Sequence, residues 1–541
     1  MSKKEKDLKE TSIDGAVSVK EKNLKNFKKL KFGSMSVAVI VLVIAIVVVI
    51  NLMCGLLMKR YPIKLDLTPD NRYEITEESI DAIKALDKNI DITVMMTKDY
   101  FTTMSQYYKE MFYQYYGAVV EMPYEIIPEI LDKYSVYSEQ GNGKITVKYV
   151  DMNKDPDVVT KFSKYYNGEI KQGSIVLQCG ERVKVIEPDK VSGMITPSQD
   201  STQANIRMTF VGESTITSAI RAVADTKPIR TAFITTMNGQ SVTDYTHASI
   251  IASFEDFLST NGYDCTEIDV VEDSLSPDDY DMIVLACPAY DFTQDIITKF
   301  SDFLYNGGEY ERDVIYVPNF YAVNLPNINE FLADWKIEIE QSAIMEETEN
   351  MIQATYSSLG VIDYAPIMEI ADSEAVGNLP NEALPIISAY AKPINIISKN
   401  NDGITDEILK SSSGSYLMGI ETGEKFDEKA SYNVIVKARR ESSVGIKVFG
   451  SDLLVISSPF MLDNSVLSST NTYNNANAVL NIVNNISGKE ESSIISEKSL
   501  QQTSIAMKAS TARVIELIVI IVIPLLIAVA GVSVLLWRKN K

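Results

Sequence analysis

Two long apolar runs near the ends of this 541-residue chain constrain its folding more than any other feature. Residues 35–58, MSVAVIVLVIAIVVVINLMCGLLM, carry no charge and would extend roughly 36 Å as a helix, enough to cross a bilayer. Residues 514–537, VIELIVIIVIPLLIAVAGVSVLLW, contain Pro524 and Gly531, which a membrane helix tolerates. Lys20, Lys22, Lys25, Lys28, Lys29 and Lys31 precede the first run, and Arg538, Lys539 and Lys541 follow the second. The positive-inside rule then predicts a two-pass protein of the plasma membrane with both termini cytoplasmic and a large extracytoplasmic region. No A-x-A site follows the first run, and Asn51, Leu52 and Met53 before Cys54 are not the small residues of a lipoprotein site, so an uncleaved anchor is expected.

Charge is divided unevenly along the chain. The overall net charge is −22, while the first 34 residues are basic, so the region between the runs would hold about −30. Such a surface repels nucleic acid, which is excluded as a partner. The cysteines between the runs, Cys179, Cys265 and Cys287, are odd in number and widely spaced, which argues against a disulfide framework. The single histidine, His247, has no His or Cys near it in sequence. No metal, cofactor or catalytic residue is expected.

The first module, 59–190, starts with Thr76 as the cap of a helix bearing Ile80, Ile83 and Leu86. A strand at 90–96, an aromatic-rich stretch from Tyr100 to Tyr116, a helix near 126–137, a strand at 144–150, a helix near 156–166 and strands at 174–178 and 182–187 follow. This β-α-β-α-β-β order predicts a thioredoxin-like module, and with no Cys-x-x-Cys it would lack redox chemistry. Gly141-Asn142-Gly143-Lys144 reads as a turn: Ser138 stands where a phosphate loop needs Gly, and Ile145 where it needs Ser or Thr.

Residues 191–227 read as a connector. The second module, 228–490, alternates strands and helices: a strand at 230–236, a helix with Ile250, Ile251, Phe254, Phe257 and Leu258, strands at 265–271 and 281–287, a helix with Ile296, Ile297, Phe300, Phe303 and Leu304, and a strand at 314–317. The continuous apolar run DMIVLAC at 281–287 suits a strand buried on both faces of a parallel sheet. The expected fold class is therefore α/β, with a doubly wound, glutamine-amidotransferase-like module interrupted by a β-rich insertion at about 340–450 and followed by a linker at 491–513. A ligand or partner of such a sheet belongs beyond the carboxyl ends of its strands, at a rim predicted to include Asn238, Gly239, Gln240, Tyr290 and Asn319. Cys287 also falls there, but Cys287-Pro288-Ala289 lacks the Gly-flanked elbow of a nucleophile and no histidine follows it, so it reads as structural.

Several short motifs recur in the order of a known family. They are Asp66-Leu67-Thr68 with Arg72-Tyr73, Gly262-Tyr263 before a strand, Gly307-Gly308, Gly450-Ser451-Asp452, the Asn-rich segment 477–485, and a last apolar run broken by Pro524 and closed by Arg538-Lys539. From Met35 to Lys541 the chain resembles the gliding-motility-associated ABC transporter auxiliary family (GldG-like). Two positions depart from it: Met237-Asn238-Gly239-Gln240 stands where Gly-His-Gly-Glu is usual, and Pro318-Asn319 where Asp-Pro is usual. The resemblance implies a non-catalytic auxiliary or substrate-binding-like subunit, with a separate permease, an ATPase and the lipid bilayer as partners. The alternatives are a membrane-anchored extracytoplasmic enzyme of amidotransferase or cell-wall hydrolase type, and a glycan-binding surface protein.

Overall fold

The computed structural model describes Val49 and residues 73–500, apart from 198–205, 323, 354–355, 358–359, 362–363, 398–403, 446 and 490–493. Residues 73–500, where described, fall within one compact unit. The chain is a mixed α/β protein in which two sheets carry most of the core.

The first sheet begins with α1 (Glu77–Lys84), whose cap Thr76 accepts a bond from the Ser79 amide. Four strands, β1 (Ile90–Val94), β2 (Ile145–Tyr149), β3 (Ile175–Cys179) and β4 (Arg182–Ile186), lie in the order β2-β1-β3-β4. Strands β1 and β2 are parallel, while β3 runs antiparallel to both of its neighbours. Between β1 and β2 lie α2 (Lys98–Tyr116), which ends at Gly117 in the left-handed region, and α3 (Ile126–Ser138). The aromatic-rich stretch is thus one helix, with Phe101, Met104 and Phe112 inward and Tyr107, Tyr113, Tyr115 and Tyr116 outward.

Residues 191–227 are more than a connector, because α4 (Gly212–Ala224) packs on β3 and β4. From α4 the buried Glu213 accepts bonds from the Thr76 amide and hydroxyl and the Ser79 hydroxyl, and it pairs with the nearly buried Lys498 at 2.5 Å. Lys498 also donates to the Glu74 carbonyl. Lys498–Ser499 pairs with Met208–Phe210 as a short strand, so residues near the end of the described chain complete the first module.

Among the described residues the second sheet has eleven strands. Its parallel centre comprises β5 (Ile229–Met237), β7 (Tyr263–Asp269), β8 (Met282–Ala286), β9 (Asp313–Val317) and β11 (Lys447–Ile456), in the order β11-β9-β8-β5-β7. The short β6 (Gln240–Ser241) folds back on β5, and β10 (Asn433–Val444) pairs antiparallel with β11 and carries the insertion's strands outward. Alternation along β8 sends Met282, Val284 and Ala286 to one core with α5 (Tyr245–Thr260) and α8 (Asn475–Ser487). Ile283 and Leu285 go to the other, with α6 (Gln294–Tyr305) and α7 (Pro326–Asp334). Burial on both faces explains why β8 reads as an unbroken apolar run.

The Asn-rich helix α8 has a structural purpose. Asn475 exchanges two bonds with the Ile387 backbone, Asn481 donates to the Val376 and Asn378 carbonyls, and Asn484 accepts from the Tyr263 hydroxyl. Amide side chains supply the partners that irregular buried backbone would otherwise lack. The Gly262-Tyr263 and Asn-rich motifs therefore meet in space, with Lys489 Nζ lying over the Tyr263 ring and bonded to the Asn261 and Gly262 carbonyls.

The expectation of a two-span membrane protein is corrected. Among the described residues no helix is long and apolar enough to cross a membrane. The longest of them, α2, carries Lys98, Asp99, Lys109 and Glu110, charges that the hydrocarbon core opposes. Of the apolar runs behind the expectation, 35–58 is described at Val49 alone and 514–537 lies outside the described residues. The two-pass plasma-membrane placement with cytoplasmic termini is overturned on the same finding.

Candidate functional site

The carboxyl ends of β5, β8 and β9 open onto three turns that local chemistry holds tightly. After β5, Asn238 (φ 52°) and Gly239 (φ 72°) form the two-residue turn of the β5–β6 hairpin, and an Asn-Gly pair suits two consecutive left-handed residues. Their amides donate to the Asp269 carboxylate at 3.1 and 2.7 Å, and the amides of Val271 and Glu272 join them. These four N–H bonds, Gly239's foremost, hold the Asp269 carboxyl well below its ordinary range. A rim that could offer amides to an anion has thus already filled them with its own side chain.

After β8, Cys287 sits at φ 51°, a strained conformation for a residue with a Cβ. Its amide donates to the Val317 carbonyl at 2.7 Å, and its carbonyl accepts from Thr243 Oγ1 at 2.8 Å. The side chain is wholly buried, and burial, reinforced by the Asp244 charge, pushes the thiol far up despite the opposing ammonium of Lys392. The following segment is locked to the β6 side, as Ala289 donates to the Val242 carbonyl and Pro288 bridges Thr243.

After β9, Asn319 is buried and every polar group of its side chain is engaged. Nδ2 donates to Asp244 Oδ2 at 2.6 Å and, at 3.4 Å, to the Cys287 carbonyl, while Oδ1 accepts from the amides of Tyr321 and Ala322. Lys392, also buried, donates to the carbonyls of Asn319 and Ala322 and to Gln341 Oε1 at 2.8–3.0 Å. Burial lowers its pKa to about 8.

These turns converge on Asp244, the cap of α5. Its carboxylate receives the His247 amide at 3.0 Å and His247 Nδ1 at 2.9 Å. Partial burial works against its charge, but the bonds from Asn319 and His247 prevail and hold the carboxyl below its ordinary value. The imidazole is fully buried with the Tyr321 ring edge-on at 5.9 Å, and its Nε2 has no hydrogen-bond partner. Tyr321, whose ring meets the imidazole, is 50% exposed; Tyr245, next to Asp244 in sequence, is 98% exposed, and Tyr290, beyond β8, is 67% exposed.

The structure therefore brings the predicted rim residues to one edge of the sheet in different states. Asn238, Gly239 and Gln240 are exposed on a hairpin, Tyr290 is exposed beyond β8, and Asn319 is an internal hub. Sequence reasoning did not single out Asp244 or Lys392, and it set His247 aside. The Asp-x-x-His spacing at the start of α5 was the available signal, since a capping carboxylate reaches the residue three positions on. Elsewhere, Lys144 donates to the Ser138, Glu139 and Gly141 carbonyls and so caps the end of α3, leaving no phosphate-loop lysine. Among the described residues no group of three or more His, Cys, Asp or Glu side chains is placed to hold a metal ion.

No family model matches the chain, and no curated protein matches it. Among solved structures it is similar to the N-terminal domain of mmIFT52, at 14% identity and TM-score 0.32 over 48% of this chain and 95% of that one. It is also similar to a ThuA-like protein from Bacteroides uniformis, at 11% identity and TM-score 0.30 over 49% of this chain and 96% of that one. A third likeness is to an exo-β-1,4-mannosidase from an Opitutaceae bacterium, at 9% identity and TM-score 0.24 over 62% of this chain and 46% of that one. At TM-scores this low the likenesses carry no argument about function.

Proposed function

We propose that this chain is a non-catalytic auxiliary, binding-type subunit of an ABC transporter, partnered by a separate ATPase and permease. The family motifs suggest the transporter setting, and one observation supports the absence of catalysis. Cys287 occupies the strained position after a buried parallel strand where a nucleophile would stand, yet the machinery around it is missing. Pro288 has no N–H, the Ala289 N–H is bonded to Val242 and the Cys287 N–H to Val317, so the amides beside Cys287 are not free to stabilise an oxyanion. The thiol itself is buried and protonated. The rival reading as an amidotransferase-like enzyme loses its nucleophile and its nearest oxyanion donors together.

An affinity-tagged chain expressed at its natural level, cross-linked in cells and purified gently, should bring down an ABC-type ATPase and a multi-span permease. Recovery of the chain alone, or with cell-wall enzymes only, would end the transporter assignment.

A further inference from the structure

The edge around Asp244 presents hydrogen-bond acceptors and aromatic faces without a free cation. Among the described residues of 238–248, 287–297, 318–334, 388–393 and 457–475, the only Lys or Arg is Lys392. That lysine is buried and bonded to three acceptors, so it offers nothing to a ligand. The ionised Asp244 carboxylate, by contrast, is 36% exposed. In the tautomer that Asp244 selects by taking the Nδ1 hydrogen, His247 Nε2 carries a lone pair, buried and unpartnered. An orphaned buried acceptor is costly unless a donor reaches it in some state of the protein.

The backbone of the neighbouring tyrosines is tied to the same network. Tyr245 follows Asp244 in sequence, Tyr321 donates its amide to Asn319 Oδ1, and Tyr290 follows Ala289, which is bonded to Val242. Phe320 links Tyr321 to Tyr390 through edge contacts at 5.2 and 5.1 Å, and Tyr390 (φ 50°) is, like Cys287 and Asn238, a non-glycine residue held in the left-handed region.

We propose that this edge binds an ammonium or guanidinium group that hydrogen-bonds to the part-exposed Asp244 carboxylate beside the Tyr321 ring, with a further donor reaching the unpartnered His247 Nε2. An aromatic face attracts cations, and a part-buried carboxylate beside it adds charge attraction. The group can be carried by a small amine or by a lysine or arginine of a peptide. This deepens the binding-subunit reading and rests on it.

Because the chain has one histidine, its ring resonances report on the site without assignment. The full-length chain labelled with 13C,15N-histidine is titrated with n-butylamine, with Nα-acetyl-arginine amide and with an acetyl-Gly-Arg-Gly amide peptide. The neutral analogues 1-butanol and acetyl-citrulline amide serve as controls. A saturable shift with a cationic probe and not with its neutral analogue is expected, n-butylamine alone pointing to a small amine and the peptide alone to a protein ligand. Y321A, compared with the parent at matched unfolding stability because the ring also packs on His247 and Phe320, should weaken binding roughly tenfold. No shift with any cation, equal shifts with the neutral analogues, or unchanged binding in the tyrosine variant would overturn the proposal. Failure here with recovery of the transporter complex removes only the cation site, whereas cation binding without that complex removes only the transporter setting.

Discussion

Asn319 Nδ2 donates to Asp244 Oδ2 at 2.6 Å, so a residue at the tip of β9 fixes the charged centre at the start of α5. Replacing Asn319 by Ala would strand the Asp244 oxygen and the amides of Tyr321 and Ala322. We expect N319A to lower unfolding stability by about 2–4 kcal/mol, the range for a charge-linked buried network that loses its hub. Urea unfolding with an unchanged m-value would measure it, and a loss under about 1 kcal/mol would contradict the hub role.

Glu213 and Lys498 form a buried pair joining α4 to residues near the end of the described chain. Removing one partner leaves an uncompensated buried charge, so E213A should cost about 3–5 kcal/mol. The E213M/K498M double variant should recover a large part of that loss. If the double variant proves as unstable as the sum of the singles, the pair is not what couples these segments.

Glu255 on α5 has its pKa raised to about 7 by partial burial first and by the charge and hydrogen bond of Glu267 next. Its folded value exceeds the ordinary 4.5, so between pH 4.5 and 7 the native state holds a proton that the unfolded chain has released. Stability from this group is therefore fully present at low pH and lost as pH rises through that window. The loss is about 1 kcal/mol once discounted for solvent screening. E255Q should flatten that part of the stability profile. A profile identical to the parent's would show that the carboxyls do not share a proton.

The thiol of Cys287 should resist a neutral alkylating reagent in the folded protein and react on unfolding, because it is buried and protonated. Cys265, half-buried with a pKa raised to about 12 mainly by burial, should react slowly. C287A should leave partner recovery intact. Rapid labelling of Cys287 in the native state, or loss of partners in a folded C287A protein, would reopen the enzyme reading.

Where a segment's periodicity follows from burial, the sequence was readable. The run at 281–287 contains β8, and the stripe Ile296, Ile297, Phe300, Phe303 and Leu304 is the buried face of α6. The helix α2 was not read, because outward tyrosines masked the Phe101, Met104 and Phe112 stripe beneath them. The packing of α4 on the first sheet depends on Glu213 meeting Thr76 and Ser79 across 137 and 134 residues, a pairing no local pattern carries. The rim was located from strand ends, but whether a polar side chain there faces outward or inward was not legible. Asn238 and Asn319 are the same residue type at the ends of β5 and β9, yet one tops a hairpin and the other is spent inside. Asp269 occupying the Asn238 and Gly239 amides is likewise a tertiary event.

Tyr245 is almost fully exposed beside Asp244, which makes it the direct place to catch a partner of this edge. Photo-cross-linking from p-benzoylphenylalanine at position 245, in cells producing the full chain at its natural level, tests the auxiliary-subunit account most directly. The account predicts a covalent adduct with an ABC-type permease or ATPase, or with a ligand-bearing chain that co-purifies with them. Adducts confined to cell-wall enzymes, or none from a normally folded and abundant protein, would contradict it.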